Sequence, residues 1–162
     1  MNTLPSLPIG SYTALYPIVQ GGMGIRVSGA GLAAAVANAG GIGVVSAVGL
    51  GMHSPYFDIE EKNPKTRQTQ FFRANRLALI DELQKARALS PEGILGVNIM
   101  VAARDYETLV QTAIENGVNL IFSGAGLPLT LPALTAHRPE VALVPIISSL
   151  RAAQVICKKW QR

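Results

Sequence analysis

Short apolar runs alternate with amphipathic runs along almost the whole chain, and this alternation limits the possible folds more than any other feature. Five runs have the length and apolar character of buried strands: residues 16–20, 42–47, 94–100, 119–123 and 141–147. Helical spacing of apolar side chains predicts helices over residues 28–39, 69–89, 105–116, 129–136 and 151–160. Apolar strands that are each followed by a helix are typical of a parallel sheet covered by helices.

Residues that begin or end helices support these boundaries. Predicted N-caps are Ser28, Asp105 and either Ser148 or Ser149. Predicted stops are Gly40-Gly41, Ser90-Pro91 and Asn116-Gly117. The polar segment 49–68 is predicted to be a long loop.

Two α/β architectures fit this order of elements. A doubly wound sheet is complete with five strands, whereas a (β/α)8 barrel needs eight strands and about 250 residues. The length of 162 residues favours the doubly wound sheet. In both folds ligands bind at the carboxyl ends of the strands, where the glycine-rich stretches of this chain lie.

Composition narrows the class of protein. With 49% hydrophobic and 15% charged residues, the chain is expected to form one globular domain without a membrane span. The single cysteine, Cys157, cannot form an internal disulfide, and the first ten residues do not resemble a secretory signal. These features predict a cytoplasmic protein with no membrane partner.

The net charge of +4 does not indicate a nucleic-acid partner. The basic residues are scattered along the chain, and aromatic residues make up only 6% of it. A nucleic-acid-binding surface usually gathers its basic residues on one face and adds aromatic side chains. The sequence therefore predicts no nucleic-acid partner.

Glycine clusters follow the first and fourth predicted strands. Half of the 16 glycines lie between Gly21 and Gly43, and the stretch Gln20-Gly21-Gly22-Met23-Gly24 directly follows the first strand. Bare backbone of this kind admits a flat ligand and offers N–H donors, although it also suits a tight turn. The second cluster, Ser123 to Gly126, fits either the floor of a ligand site or a strand-to-helix turn before Pro128.

Asn98 is the one polar residue of an otherwise apolar strand, Gly96-Val97-Asn98-Ile99-Met100. A buried amide without a partner costs about 1–3 kcal/mol, so partners are expected. They are either backbone groups of a neighbouring strand or the polar edge of a bound heterocycle.

Several common sites are missing from the sequence. No Gly-Lys-Ser or Gly-Lys-Thr stretch supplies a Walker loop, and Gly22-Met23-Gly24 lacks the third glycine of a dinucleotide fingerprint. His53 and His137 have no carboxylate or cysteine at metal-ligand spacing, so no metal site is predicted. Cys157 lies in a predicted helix without a partner histidine and is expected to be inert. No catalytic triad is apparent.

The ordered set YPIVQGGMG, AGGIGVVS, GVNIM, FSGAGLP and VPIISS resembles the nitronate monooxygenase family, formerly called 2-nitropropane dioxygenases, and the related flavin-type enoyl-acyl carrier protein reductases. The resemblance covers roughly residues 14–155. It implies a (β/α)8 barrel that binds FMN, against the argument from length. Residues 1–162 would then be the amino-terminal portion of that one domain, with about five βα units.

The resemblance also implies roles for individual residues. Those implied to contact the flavin are Gly21, Gly22, Met23, Asn98, Ser123 and Gly124. Ala125 and Gly126 would belong to a loop on the substrate side, and the end of the fifth strand, residues 146–149, would approach the cofactor. The catalytic base and the phosphate-binding loops of the family would lie beyond Arg162, so no residue of this chain is predicted to be catalytic and the chain alone is expected to be inactive.

The implied reaction of the parent protein is oxidation of alkyl nitronates by O2. One alternative is reduction of an enoyl thioester by NAD(P)H, and both reactions have a small-molecule substrate. Two further alternatives are a non-catalytic fragment or assembly module and a small nucleotide-binding domain. An incomplete barrel exposes sheet edges, so the chain is also predicted to associate with itself.

Overall fold

The computed structural model describes residues 4–161. Its strands are β1 (Leu7–Ile9), β2 (Tyr12–Ala14), β3 (Gly43–Ser46), β4 (Leu95–Met100), β5 (Leu120–Gly124) and β6 (Ala142–Pro145). Its α-helices are α1 (Ala30–Asn38), α2 (Pro64–Leu89), α3 (Tyr106–Glu115), α4 (Leu131–Leu134) and α5 (Leu150–Trp160). A short 3-10 turn, Leu50–His53, follows β3.

Four parallel strands form the main sheet in the order β3-β4-β5-β6, which is also their order along the chain. The register pairs Ser46 with Asn98, Asn98 with Phe122 and Phe122 with Val144. A doubly wound sheet instead reverses its strand order at a switch point. The sequential order is that of a (β/α)8 barrel.

The two faces of this sheet are covered differently. Side chains on one face, such as Val45, Val97 and Ile121, pack in one cluster with helix residues that include Leu83 and Val110. We call this side the helix face. The opposite side, the inner face, carries Val44, Leu120 and Phe122, which pack with Leu7, Ile9 and Tyr12 of the antiparallel β1–β2 hairpin.

The hairpin covers only the amino-terminal half of the inner face. A Cβ at Gly10, in the turn of the hairpin, would lie 3.1 Å from Cβ of Ala142, the first residue of β6. The carboxyl ends of the strands therefore stay free of the hairpin. One helix layer, one inner face and sequential strand order make the fold a partial (β/α)8 barrel, and the expectation of a doubly wound sheet from chain length is wrong.

The first predicted strand, residues 16–20, is reduced to one parallel bridge between Val19 and Ile42. Ile42 donates its N–H to the Ile18 carbonyl at 2.9 Å, and Gln20 donates its N–H to the Ile42 carbonyl at 3.0 Å. The Gln20 side chain continues this pairing, since its amide nitrogen donates to the Val44 carbonyl and its oxygen accepts from the Val44 N–H. The β1–β2 hairpin was not predicted.

Helix α2 begins at Pro64, within the segment 49–68 that was predicted to be a loop. The Asn63 side chain accepts hydrogen bonds from the N–H groups of Lys65 and Thr66, and Pro64 occupies the first turn. Both residues are favoured at these positions, so the signal was present in the sequence and was missed. Helix α4 is also shorter than the predicted 129–136.

The predicted N-cap Ser28 is wrong, and Asp105 has the predicted position but no capping hydrogen bond from its side chain. The residue at the N-cap position of α1 is Gly29, and a carboxylate oxygen of Glu82 in α2 accepts the hydrogen bond from the Ala30 N–H at 2.6 Å. Asp105 is at the N-cap position of α3, but its carboxylate bonds the Asn75 amide. The predicted cap Ser149 is confirmed, because its hydroxyl accepts from Ala152.

The predicted helix stops are confirmed. Helix α1 ends just before Gly40 and α3 just before Gly117, and both glycines have positive φ, at 91° and 69°. This backbone conformation is common for the residue that follows a helix and strains other residue types. Helix α2 ends at Leu89, before Ser90 and Pro91.

Apolar side chains are exposed near both edges of the sheet. Leu15 and Ile18 lie beside the β3 edge, whereas Ile146 and Leu150 follow β6. Within residues 4–161, no further strand pairs with the outer edge of β6. Association of the chain through these edges stays a prediction.

Arg87, in the last turn of α2, joins the connections at the amino ends of β4 and β5. Its guanidinium donates to the carbonyls of Ser90, Pro91 and Gly93 before β4. It also donates to Asn119, whose side-chain oxygen accepts from the Leu95 N–H as well. The side chain therefore holds two strand starts in register without a carboxylate partner.

We predict that Arg87→Met lowers the free energy of unfolding by about 2–3 kcal/mol, because several carbonyls lose a charged donor together. Urea unfolding followed by circular dichroism measures this change. The control is Arg76→Met, since Arg76 is exposed on the same helix. Equal losses in the two variants would contradict the role assigned to Arg87.

Candidate functional site

The glycine stretch after the first strand position forms a loop that Ser28 holds in place. The buried Ser28 hydroxyl donates to the Gly21 carbonyl at 2.8 Å and accepts from the Met23 N–H at 3.0 Å. The backbone N–H of Ser28 donates to the Met23 carbonyl, and its carbonyl accepts from the Ser46 N–H. One residue thus fixes the loop to itself and to the end of β3.

Gly22 lies directly against Asn98, which belongs to β4. A Cβ placed at Gly22 would be 2.6 Å from Cγ of Asn98 and 3.0 Å from its Oδ1, closer than atoms can approach without a shift. Gly21, one residue earlier, has no atom within 4 Å of the same position. The absence of a side chain is therefore a packing requirement at Gly22 and not at Gly21.

Asn98 and Ser46 are polar neighbours at the carboxyl ends of their strands. Ser46 lies two residues after Val44, and Asn98 lies four residues after Ile94, which both belong to the inner-face cluster. Residues separated by an even number of positions in a strand share a face, so Ser46 and Asn98 also belong to the inner face. Among residues 4–161, no group forms a hydrogen bond with the side-chain amide of Asn98. Ser46 is 1% exposed, and its hydroxyl likewise has no partner in the described chain.

The second glycine cluster lies along the same edge, at the end of β5, which pairs directly with the strand of Asn98. Gly124 is buried against Ile146, and a Cβ at Gly124 would be 2.9 Å from Cβ of that residue. Ala125 and Gly126 are exposed and have positive φ, and Gly126 packs against Val101. This loop presents backbone at the carboxyl edge of the sheet.

Ser123 is directed away from the inner face. Its buried hydroxyl lies 2.8 Å from the Tyr106 hydroxyl and donates to the Ile99 carbonyl at 3.3 Å. Burial raises the pKa of Tyr106 above its ordinary value of 10.0, against a smaller opposing effect of the hydrogen bond with Ser123. A flavin contact by Ser123 stays a prediction, since its hydroxyl bonds within the helix face and its carbonyl accepts a hydrogen bond from the Ile146 N–H.

The structure brings Gly21, Gly22, Met23 and Asn98 together, whereas Ser123 to Gly126 lie at the end of β5, the strand that pairs with β4. Sequence reasoning missed three contributors: Gln20, Ser28 as the holder of the loop, and Ser46. A polar residue at the carboxyl end of an apolar strand was the signal for Ser46, as it was for Asn98. Met23 is 45% exposed beside these groups.

The side chains named at this site include amides and hydroxyls, and none of them is charged. Within the described range, no three side chains of His, Cys, Asp or Glu lie close enough to hold a metal ion. Across the same residues, none of the helices combines the length and apolarity that a membrane crossing requires. This site can bind a ligand through the side-chain amide of Asn98, the buried hydroxyl of Ser46 and the backbone of Gly21 and Gly22.

Gly22→Ala should lower the free energy of unfolding by about 1–3 kcal/mol, because the new methyl group overlaps Asn98. Gly21→Ala, the matched control, should change it by less than about 0.5 kcal/mol, because the space at Gly21 is open. Urea unfolding of both variants tests the pair. Similar losses would show that the loop does not lie on Asn98.

The raised pKa of Tyr106 predicts that the free energy of unfolding falls at alkaline pH. A folded-state pKa above the unfolded value means that the neutral phenol stabilises the fold, fully below pH 10 and progressively less as pH rises through the folded pKa. Tyr106→Phe should therefore lose less stability than the parent between pH 8 and pH 11 in chemical unfolding. Tyr16→Phe, at an exposed tyrosine, is the control and should follow the parent. An unchanged pH profile in Tyr106→Phe would contradict the assignment.

Comparison with known proteins supports the fold and identifies the family. Two solved structures of FabK from Thermotoga maritima, one of them a mutant, are each 24% identical to this chain, with TM-scores of 0.64 and 0.66. The matches cover 88% of this chain but only 37% and 39% of those chains, and at this identity they show a shared fold alone. No curated protein matched the chain.

The family model described as nitronate monooxygenase matches residues 7–161, a range that includes all the strands and helices given above. This range contains the Ser28-held loop, Asn98 and the second glycine cluster. The chain therefore belongs to the nitronate monooxygenase family.

Proposed function

We propose that the chain forms the amino-terminal part of a flavin-dependent oxidoreductase, which binds FMN on the inner face and oxidises alkyl nitronates with O2. Membership of the nitronate monooxygenase family supports the reaction. The observation that carries the site is the Asn98 amide, which has no hydrogen-bond partner within residues 4–161 and lies under Gly22. Ser46 adds a buried hydroxyl without a partner in the same range.

These groups fit the edge of a flavin. A side-chain amide both donates and accepts hydrogen bonds, and the pyrimidine edge of an isoalloxazine ring carries groups of both kinds. The bare backbone at Gly21 and Gly22 allows a flat ring to approach closely. Buried polar groups usually have partners, so an orphaned hydroxyl beside an unbonded amide supports a polar ligand at this place.

Each residue has a separate part in this proposal. The backbone of Gly21, Gly22 and Met23 holds the ring in place, and the Asn98 amide fixes its orientation. FMN, when bound, supplies the redox chemistry that the side chains cannot. Gly124 and the Ser123 backbone border the cofactor, with Ala125 and Gly126 on the substrate side.

Proton transfer needs a group that the described site does not contain. Neither amide, hydroxyl nor glycine backbone titrates near neutral pH. A nitronate has already lost its α-proton, so a base is needed only where the neutral nitroalkane is the starting compound. The proposal assigns that base to a position outside the residues named here, and binding and orientation to this chain.

Asn98→Ala should weaken FMN binding about tenfold, which corresponds to about 1.4 kcal/mol and to the loss of one or two hydrogen bonds. Quenching of flavin fluorescence during titration with the protein measures the affinity. Asn38→Ala is the control, since Asn38 lies at the end of α1 and bonds the Leu89 carbonyl. Unchanged affinity in Asn98→Ala would remove Asn98 from the proposed site.

The reaction is tested with the longer protein of which, in this proposal, the chain is the amino-terminal part. Oxygen consumption on addition of ethyl nitronate, without nicotinamide, is the expected result. Rapid bleaching of the flavin absorbance by NAD(P)H, with no response to the nitronate, would instead support the enoyl reductase reaction. Absence of bound flavin would contradict both reactions.

A further inference from the structure

A cleft of about 570 Å³ lies beside the proposed flavin site, between the start of α2 and the carboxyl ends of β3 and β4. Its apolar lining includes Ala47, Ile99, Met100, Phe57, Phe71 and Phe72. We call it the aromatic cleft. It does not include the loop 21–24 or Asn98, so an inference about it stands apart from the proposed function.

The three phenylalanines form one connected wall. The rings of Phe57 and Phe71 meet edge to face with centroids 6.0 Å apart, and those of Phe71 and Phe72 are 6.1 Å apart. Such pairs hold aromatic side chains in defined positions. The cleft volume lies within the range of small-molecule pockets, about 300–1,000 Å³, so the wall can enclose an apolar chain.

Two arginines bring positive charge to this apolar lining. Arg67 and Arg104 both line the cleft, and the Arg67 guanidinium lies 5.8 Å from the centroid of the Phe57 ring. In the part of the chain that the structure describes, the only salt bridge joins Arg138 and Glu140, so neither cleft arginine is paired with a carboxylate.

The acidic groups nearby form hydrogen bonds with groups other than the two arginines. Asp105 is the one acidic residue of the lining, and its carboxylate accepts a hydrogen bond from Asn75. Asp58 and Glu61, which follow Phe57, bond the backbone N–H groups of Glu60 and Asn63 instead. The first turns of α2 and α3 also border the cleft, and helix N-termini carry partial positive charge.

We propose that the aromatic cleft binds an anionic amphiphile of the fatty carboxylate class. The alkyl chain lies along Phe57, Phe71 and Phe72, and the carboxylate is held by Arg67 and Arg104. An apolar wall next to two unpaired guanidinium groups matches both halves of such a ligand, whereas a neutral apolar ligand would leave the charges unused.

The first test is calorimetric titration of the flavin-free chain with sodium hexanoate, octanoate and decanoate, each below the concentration at which it forms micelles. Affinity should rise about tenfold for every two methylene groups, because each added group is removed from water. Decanol, with the same chain and no charge, should bind about tenfold more weakly than decanoate. No binding of decanoate to the folded chain would overturn the proposal, and so would equal affinity for decanol.

Variants then locate the two halves of the ligand. Replacing both arginines, Arg67→Gln with Arg104→Gln, should weaken decanoate binding about tenfold and leave decanol binding unchanged. Arg73→Gln is the matched control, because Arg73 is exposed on the same helix and does not line the cleft. Ala103→Trp, which fills the cleft from its rim, should abolish the binding of both ligands. Normal decanoate binding in either cleft variant would overturn the assignment.

Salt dependence gives a measurement that needs no variant. Raising the concentration of NaCl should weaken the binding of decanoate and not that of decanol, because the arginines are exposed and their charges are screened. Equal responses of the two ligands would contradict a role for the arginines. Since these titrations contain no flavin, their failure would leave the proposed oxidoreductase function intact.

Discussion

Parallel pairing of β3, β4, β5 and β6 in chain order is the constraint on which the other features depend. Each strand runs the same way, so each connection must return across the sheet, and the returning helices lie on one side. The opposite side is left to the hairpin at one end and to the glycine loops at the other. The candidate site thus follows from the topology before any side chain is considered, because the strands place all their carboxyl ends at one edge.

The sequence predicted the main sheet well because its strands are apolar throughout and its helices end at glycine or proline. It could not predict how residues 16–20 would pair. An apolar segment of this length has the same composition whether it forms a full strand or a single bridge, as it does here. There the Gln20 side chain replaces backbone pairing to Val44, which is a contact between residues far apart in sequence. The start of α2 was different, since Asn63 and Pro64 carried a local signal that was overlooked.

The residue types of the candidate site could be predicted from the sequence, whereas the contacts that hold those residues in place could not. Glycine after a strand and an asparagine within one indicated where a ligand could lie, and the structure brings Gly22 and Asn98 into contact. The direction of Ser123 depends on which face of β5 it occupies, and its hydroxyl lies on the helix face beside Tyr106. Ser28 holds the loop through a buried hydroxyl, which the sequence suggested only as a helix cap.

The carboxylate of Glu82 at the start of α1 has a consequence for the order of folding. Helix α1 has nine residues, no side-chain cap of its own and no acidic residue in its first turn, and helices of this length are unstable in isolation. Its first turn is completed by Glu82 of α2, which lies 52 residues after Ala30 in the chain. We therefore expect α1, together with the Ser28 loop that leads into it, to become ordered after α2 has docked. The part of the molecule that offers bare backbone to a ligand is then among the last to form, although it comes early in the chain.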